Sequence, residues 1–207
     1  GYGSQFFKDA WHIIGEEVIQ AIKCSYDSGT LLKQLNSTSI SLIPKVEITD
    51  NVSQFRPIAC CNTLYKTLSK VLCARLNEIL PDIINPAQSA FIKGRDIVGN
   101  VLICQDLIRM YGRGVCSPRI IMKLDLNKAY DSVEWSFIDE ILGELGFPDR
   151  IHRLIMQCIS SPTFTFNING ESFGYVVEKR GLRQGDHMSP LLFMLCLDYF
   201  GRLLGII

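Results

Sequence analysis

The stretch KLDLNKAYDSVEW, residues 123–135, carries two aspartates six residues apart. Asp125 lies in an apolar run that predicts a strand, where an unpaired carboxylate is costly unless it meets a cation. Both a bound metal ion and Lys123, on the same face of that strand, are possible partners. Asp131 precedes Glu134 by three residues, the spacing of a helix capping box. We therefore expect Asp131 to cap a helix, while Asp125 either binds a metal ion or pairs with Lys123.

Two cations flank a predicted hairpin upstream of these aspartates. Lys45 closes the segment SLIPK, and Arg56 follows eleven residues later in FRPI, where Pro57 holds it extended. An ammonium and a guanidinium that project from one hairpin are suited to binding a triphosphate. Surface cations are common on hairpins, so this pair alone does not decide a function.

A glycine-rich loop precedes the last predicted helix. Residues 181–186, GLRQGD, lead into Ser189 and Pro190, which suit the N-cap and the first position of a helix. A helix start does not by itself require a flexible loop before it. Glycine is expected where the backbone must approach a ligand closely, and we predict such an approach here.

The hydrophobic periodicity predicts an α+β chain in which helices pack on one face of a largely antiparallel sheet. Asn169 and Gly170 are predicted to turn a hairpin. The first helix should end at 27–29, the second before Pro81, and the third at 112–114. Predicted helices cover 6–26, 64–79, 97–111, 134–145, 149–160 and the segment after 189, and predicted strands cover 39–44, 55–60, 119–126, 163–168 and 173–179.

The overall composition supports one globular unit without a strong electrostatic bias. The chain has 207 residues, 47% of them apolar, and 21 basic against 21 acidic side chains. The charges are nevertheless segregated. Residues 56–95 hold six basic and two acidic side chains, whereas residues 125–149 hold seven acidic side chains and only Lys128 opposing them. This pattern indicates either a polyanion track beside a cation site or solvated helix faces.

Membrane and secreted proteins are disfavoured. The N-terminus has no secretory signal, and the apolar run 191–207 is interrupted by Asp198 and Arg202. That run is also shorter than the ~20 apolar residues that a membrane span needs. Eight cysteines without a CxxC pair, and only three histidines, predict an intracellular protein with reduced thiols, no disulfide partner and no zinc site.

Taken in order, the motifs IPK, FRPI, KLDLNKAYD and GLRQGDHMSPLLF resemble those of reverse transcriptases, in the non-LTR (LINE-type) retrotransposon branch. The resemblance extends over essentially all 207 residues. It implies the fingers and palm of a right-hand polymerase, with residues 1–117 mainly fingers and the start of the palm, and residues 118–207 palm. His187 departs from the family pattern, because many relatives have proline there.

The resemblance implies a metal-dependent site. Asp125 would be the catalytic palm aspartate, and together with the backbone carbonyl of Leu126 it would bind Mg²⁺. The family uses two such ions to transfer a nucleotide from a dNTP to a primer 3′-hydroxyl.

The resemblance also implies a nucleotide site. Lys45 and Arg56 would contact the triphosphate. Tyr130 would lie under the incoming sugar and exclude a 2′-hydroxyl, although a packed core aromatic is the alternative that the residue type alone favours. Gln184 and Gly185 would touch the nucleotide and the template.

The implied partners are an RNA template, a DNA primer and dNTPs, and the implied location during integration is the nucleus. The family's second palm motif, an aromatic-x-Asp-Asp turn, does not occur in the 207 residues. We therefore expect a chain cut before that motif and before the thumb. Because a Mg²⁺ site needs a carboxylate or two for each ion, we also expect the isolated chain not to polymerise DNA.

Three alternatives remain open at this stage. A group II intron maturase-type reverse transcriptase would use the same chemistry on an intron RNA. A decayed element could survive as an RNA-binding module without catalysis. An untranslated or unstable pseudogene product is the third alternative.

Overall fold

One mixed sheet of four strands organises the chain. The computed structural model describes residues 2–111 and 120–205. The strands are β1 (Ser37–Pro44), β2 (Phe55–Cys61), β3 (Thr163–Ile168) and β4 (Glu171–Val177), in the spatial order β2-β1-β3-β4. The sheet is mixed and largely antiparallel, as predicted: β1–β2 and β3–β4 are antiparallel pairs, whereas β1 and β3 are parallel. A long connection that contains helices separates β1 from β3, so the chain can return in the same direction.

The two faces of this sheet differ in chemistry. Successive side chains of a strand point to opposite faces, so Ser39 and Ile40 of β1 lie on different sides. Ser39 is level with Thr165 of β3, and Ile40 is level with Phe166. Ser39, Cys60 and Thr165 therefore share one face, while Ile40, Ala59 and Phe166 share the other face, which packs against the core.

Seven helices lie within the described ranges, 2–111 and 120–205. They are α1 (Ser4–Asp9), α2 (Trp11–Ser28), α3 (Thr63–Ile83), α4 (Ile97–Met110), α5 (Trp135–Glu144), α6 (Asp149–Ser160) and α7 (Ser189–Leu203). The core side of α3 is formed by Leu68, Leu72, Leu76 and Leu80, which recur every four residues and are all buried. They belong to the same buried cluster as Leu142, Leu154 and Leu192 of α5, α6 and α7. None of the helices in the part of the chain seen here is long and apolar enough to cross a membrane.

The second helix runs past Pro81, where the sequence predicts that it stops. α3 continues to Ile83, with Pro81 inside it. The reason is Arg95, whose Nη2 donates to the carbonyls of Pro81 (2.7 Å) and Ile84 (2.8 Å). Its Nη1 donates to the carbonyls of Asn85 and Gln88, at 2.6 and 2.7 Å. A cation that binds the last carbonyls of a helix stabilises its C-terminus, so Arg95 serves the fold.

The strand predicted at 119–126 is not formed over 120–126, and Arg119 lies outside the described residues. Residues 120–126 have no ladder partner among the residues described, and their side chains are exposed. The expectation that Asp125 ends a buried strand is therefore wrong. Periodicity reports only that a segment suits a strand, and a strand also needs a neighbour to pair with.

Most other elements agree with the sequence. The hairpin of β3 and β4 turns at Asn169 and Gly170, both with positive φ, as predicted. The first predicted helix is split at Ala10 into α1 and α2, and α2 is followed by Gly29, its C-cap, in the left-handed conformation. α7 begins at Ser189, so the predicted N-cap is displaced by one residue. The predicted end of the third helix at 112–114 lies outside the described residues.

A pair of identical substitutions tests which helices hold the core. Leu72→Ala in α3 removes a side chain that is 1% exposed, and we expect it to lower the free energy of unfolding by about 2–5 kcal/mol. Leu102→Ala in α4, where the leucine is 55% exposed, should change it by about 0.5 kcal/mol or less. Urea denaturation followed by circular dichroism measures both. Similar losses in the two variants would contradict this account of the core.

Candidate active site

A cavity of about 890 Å³ brings together most of the residues that the sequence singles out. We call it the β1–β3 cavity, because Ile40 of β1 and Phe166 of β3 form part of its apolar wall. Its volume lies in the range of about 300–1,000 Å³ that is usual for ligand pockets. Five predicted site residues line it, namely Lys45, Arg56, Asp125, Leu126 and Gln184. Tyr130 and Gly185 do not.

The hairpin of β1 and β2 places Lys45 and Arg56 at one end of the cavity. Pairing of the two strands ends at Pro44 and Phe55, so the two cations flank the last pair. The Lys45 backbone nitrogen donates to Gln54 (2.8 Å), and its ammonium donates to the carbonyl of Ser53 (2.8 Å). Arg56 is exposed. This end of the cavity therefore carries two positive charges that meet no carboxylate within 4 Å in the described ranges.

Asp125 presents its carboxylate to solvent at the cavity wall. It forms no ion pair with Lys123, the partner that the sequence left open, and Lys123 is itself exposed. Within the described ranges no three His, Cys, Asp or Glu side chains form a group that could hold a metal ion. Carboxylate and carbonyl oxygens, here those of Asp125 and Leu126, are nevertheless the donors that Mg²⁺ takes when substrate phosphates and water complete its shell. The residues present fit such a shared ion.

Asp131 does not cap a helix, so the prediction for this aspartate is wrong. α5 begins four residues later at Trp135, and Glu134 stands at its N-cap, where its side chain accepts no hydrogen bond from the helix backbone. Residues 127–132 instead form turns, with the Ser132 nitrogen donating to the carbonyl of Lys128 (3.0 Å). The turns leave the Asp131 carboxylate on the wall of the β1–β3 cavity, where it accepts a long hydrogen bond (3.4 Å) from Nε2 of Gln184.

Backbone hydrogen bonds join this turn to the glycine-rich loop. The Leu182 nitrogen donates to the carbonyl of Tyr130 (2.9 Å), and the Gly181 nitrogen donates to the carbonyl of Val133 (2.8 Å). A Cβ at Gly181 would lie 3.2 Å from Cα of Asp131, and Gly181 has a φ of +97°. Glycine is therefore required where the two segments meet.

The loop is also attached to the sheet. The nitrogen of Ala59 in β2 donates to the carbonyl of Gln184 (3.0 Å), which leaves the Gln184 side chain directed at the β1–β3 cavity. Gly185, with a φ of +102°, passes so close to β2 that a Cβ would lie 3.4 Å from the carbonyl oxygen of Ala59. Gly185 and His187 line a second cavity, next to the first. The loop therefore lies in close contact with the sheet, and its approach to a ligand stays a prediction.

A buried ion pair holds the loop in place. Arg183 and Asp186 are 6% and 5% exposed, with Nη2 and Oδ2 3.6 Å apart. The guanidinium donates to the carbonyl of Cys158 in α6 (2.6 Å) and to the hydroxyl of Thr38 in β1 (3.1 Å). It also lies over the ring of Tyr65 in α3, 4.0 Å from the centroid.

The carboxylate of the pair is equally well bound. Asp186 accepts hydrogen bonds from the hydroxyls of Tyr65 and Ser69, both in α3. Burial raises the pKa of Tyr65 well above its ordinary value, so this hydroxyl keeps its proton and remains a donor. The loop is thus tied to β1, α3 and α6 together.

Tyr130 packs as a half-buried aromatic beside the β1–β3 cavity. Its ring stacks on Phe193 of α7, with centroids 5.0 Å apart and planes 21° apart. Burial raises the pKa of its hydroxyl. This environment fixes the ring, which belongs to the partly buried shell of the core.

Sequence reasoning missed two features of this site. Glu178, just after β4, lines the cavity, and burial together with the nearby charge of Asp131 raises its pKa. No motif pointed to Glu178. For Arg183 and Asp186 a signal existed, because opposite charges three residues apart inside a glycine-rich loop suggest a local pair.

Comparison with known proteins identifies the family. Residues 43–205 match the family model described as reverse transcriptase (RNA-dependent DNA polymerase). The chain belongs to the reverse transcriptase family. The matched range includes every predicted site residue, and members of this family generally use a divalent metal, usually Mg²⁺.

The relatives come from non-LTR retrotransposons. The chain is 26% identical to the Transposon TX1 uncharacterized 149 kDa protein of Xenopus laevis, over 97% of the chain and 15% of that protein. It is 30% identical to the Retrovirus-related Pol polyprotein from type-1 retrotransposable element R2 of Popillia japonica, over 76% of the chain and 22% of that protein. For the type-2 element R2DM of Drosophila melanogaster the identity is 28%, over 85% and 16%. The chain thus spans about a fifth or less of the length of these relatives.

The buried ion pair gives a stability prediction. Asp186→Asn leaves the charge of Arg183 buried without its partner, and we expect it to lower the free energy of unfolding by about 3–5 kcal/mol. Asp27→Asn removes an aspartate from an exposed ion pair with Arg150 (3.3 Å) and should cost about 1 kcal/mol or less. Chemical denaturation of both variants measures the difference. Equal costs would show that the buried pair does not hold the loop.

Proposed function

We propose that this chain supplies the nucleotide and metal site of an RNA-directed DNA polymerase of a non-LTR retrotransposon. The supporting observation is the β1–β3 cavity, where a carboxylate, two cations and a loop glutamine converge. In this proposal a dNTP binds in the cavity, and its α-phosphate is attacked by a primer 3′-hydroxyl paired to an RNA template. Because the product is joined to chromosomal DNA, the proposed location is the nucleus.

Asp125 is the catalytic carboxylate in this proposal. Its exposure at the cavity wall leaves its oxygens free to bind a cation, and the carbonyl of Leu126 is the adjacent oxygen donor. Two Mg²⁺ ions, when bound, would activate the primer hydroxyl and stabilise the leaving pyrophosphate. The chain's own contribution is to hold negative oxygens where the ions and the triphosphate meet.

Lys45 and Arg56 bind the triphosphate in this proposal. Both lie at the hairpin end of the cavity, and a guanidinium can bind phosphate oxygens in a bidentate manner. The ammonium of Lys45 has to exchange its bond to the carbonyl of Ser53 for one to phosphate. That exchange is favourable because a charged acceptor forms the stronger hydrogen bond.

Four further residues position the rest of the nucleotide and the template in this proposal. Asp131 accepts from Nε2 of Gln184, which leaves Oε1 of Gln184 as an acceptor for a sugar hydroxyl. Tyr130, held by Phe193, lies under the sugar and excludes a 2′-hydroxyl. Because Gly185 has no side chain, the loop can lie close to β2, and this leaves room for the template to pass the loop.

The domain organisation follows from the same proposal. Residues 1–117 are mainly fingers with the start of the palm, and residues 118–207 are palm. The hairpin of β1 and β2 then belongs to the fingers, and Asp125 belongs to the palm. The site lies where the two meet.

Magnesium-dependent dNTP binding tests this function. We expect a fluorescent dNTP to bind at least about tenfold more tightly in about 5–10 mM Mg²⁺ than in EDTA, a difference of about 1.4 kcal/mol in the free energy of binding. Asp125→Asn should abolish that gain, because it removes a charged metal ligand. Asp82→Asn, at an exposed position of α3 away from the cavity, is the matched control.

The result separates the proposal from its main alternative. Loss of the magnesium effect in Asp125→Asn, with the Asp82→Asn control unchanged, supports the polymerase site. If the wild-type chain shows no magnesium-dependent dNTP binding but still binds RNA in a salt-dependent manner, the chain is an RNA-binding module, and the proposal is wrong.

A further inference from the structure

A small cavity between α5 and α7 lies apart from the proposed nucleotide site. Its volume is about 270 Å³, and the described residues that line it all differ from those of the β1–β3 cavity. We call it the α5–α7 groove. Its volume is just below the range of about 300–1,000 Å³ that is usual for small-molecule pockets. The groove is therefore suited to a few side chains of a partner rather than to a whole nucleotide.

The walls of the α5–α7 groove repeat with the period of a helix. On α5 the lining residues follow the spacing i, i+3, i+4, i+7 from Phe137 to Glu144, and on α7 they follow the same spacing from Leu195 to Arg202. Residues at this spacing lie on one face of a helix. One face of each helix therefore bounds the groove, and the side chains of a third helix can pack between them.

The floor of the groove is apolar, and part of it is exposed to solvent. The rings of Phe137 and Tyr199 meet edge to face, with centroids 5.3 Å apart and planes 75° apart. Ile141 and Leu195 are buried and belong to the core. Tyr199 is 44% exposed, however, and Leu145 is 37% exposed. A partner that covered these two side chains would remove apolar surface from water, which favours binding.

The rim of the groove carries negative charge that the fold does not use. Glu140 and Glu144 are both exposed and lie four residues apart on α5. Across the part of the chain that the structure describes, neither carboxylate has a cation within 4 Å. Two like charges at this spacing destabilise a helix slightly, so the pair does not stabilise α5 itself.

The positive charge of Arg202 is already bound within the groove. Its Nε donates to Oδ2 of Asp198 (2.8 Å), and its Nη2 donates to the carbonyl of Ile83 (2.9 Å). Asp198 also accepts a hydrogen bond from the backbone nitrogen of Asn85 (2.8 Å). Asp198 and Arg202 therefore neutralise each other, which leaves the carboxylates on α5 as the excess charge of the groove.

We propose that the α5–α7 groove binds an amphipathic helix of a partner protein, whose apolar side chains enter the groove and whose Lys or Arg side chains meet Glu140 and Glu144. The floor and the rim together select this chemistry. An acidic helix or a nucleic acid would be repelled by the rim, and a purely polar helix would leave Leu145 and Tyr199 exposed. The inference does not rest on the proposed nucleotide site.

A second copy of the chain is a poorer occupant. α4 is the described helix whose apolar side chains are largely exposed, but it carries Arg109 against Asp106 and so has no net positive charge. It would bring no excess cation to the rim. The groove is therefore assigned to a different polypeptide.

A model peptide tests the proposal. The probe is a fluorescein-labelled amphipathic peptide of about 14 leucine and lysine residues, or about four helical turns. Its control is the same peptide with every lysine replaced by glutamate. Fluorescence anisotropy with the whole chain measures both affinities, and we expect the lysine peptide to bind at least about tenfold more tightly. Equal affinities, or no binding of the lysine peptide, would overturn the proposal.

Charge substitution tests the rim. Glu140→Gln/Glu144→Gln should weaken binding of the lysine peptide at least about threefold, since each exposed ion pair contributes modestly. Glu16→Gln/Glu17→Gln removes the same charge from exposed positions of α2 outside the groove and should keep the wild-type affinity. Equal weakening in the two double variants would mean that the peptide responds only to overall charge, and would refute the assignment.

The apolar floor is tested without a change of charge. Leu145→Ser should weaken binding of the lysine peptide at least about threefold, whereas Leu32→Ser, at a position that is 67% exposed and outside the groove, should not. Circular dichroism checks that both variants remain folded. Photo-cross-linking of the wild-type chain by a benzophenone in the peptide should label residues 137–145 and 195–202. Labelling confined to other segments would overturn the assignment even if a variant failed to fold.

Self-association and nucleotide binding complete the test. A dimer in sedimentation analysis that the lysine peptide dissociates would make a second copy the occupant, and the partner assignment would be wrong. A chain that stays monomeric supports it. Glu140→Gln/Glu144→Gln should leave magnesium-dependent dNTP binding within twofold of wild type. A chain that binds the lysine peptide in the groove but binds no dNTP would contradict only the proposed function.

Discussion

The buried ion pair of Arg183 and Asp186 is the constraint on which the candidate site depends. Removing two charges from water is costly, and the cost is offset only when every donor and acceptor is bound in good geometry. Here the partners come from three separate elements, with Thr38 in β1, Tyr65 in α3 and the Cys158 carbonyl in α6. Displacing the loop would leave charges and hydroxyls unpaired in the interior. The loop that presents Gln184 is therefore fixed by polar contacts that solvent cannot replace.

Because of this constraint, the buried and the exposed polar groups of the site have different roles. Arg183 and Asp186 are buried and satisfied, so they have no capacity left for a ligand. Asp125 and Arg56 are exposed, and their charges are free to be neutralised by one. A site that binds a highly charged substrate needs buried, paired charges as well as exposed, unpaired ones. The exposed charges are available to the ligand and do not themselves stabilise the fold. The stability of the site is supplied by neighbours that do not themselves bind the ligand.

Local patterns predict local structure well in this chain, and the errors concern interactions between distant segments. Asn169 and Gly170 determine a tight turn by their own backbone preferences, and the hairpin forms where they stand. The order of motifs likewise predicted the family and five residues around one cavity. Pro81, in contrast, remains in α3 because an arginine fourteen residues later binds the carbonyls at the helix end. Asp131 has the spacing of a capping box, but backbone bonds from 181–182 hold its neighbourhood in turns. Local propensity is a weak guide wherever such distant contacts compete with it.

The alternation of side chains along β1 explains how one thin sheet can serve two cavities. Ser39 faces one cavity and Ile40 the other, so the chemistry changes from polar to apolar between adjacent residues. A slip of one residue in the pairing would exchange the two sets and bury the hydroxyls. Burial of the apolar face in the core therefore fixes the register of the strands. The same register determines which side chains lie on the polar face. The consecutive loop residues Gln184 and Gly185 likewise line different cavities. The fold thus brings a nucleotide-sized cavity and a second, polar cavity within one residue of each other.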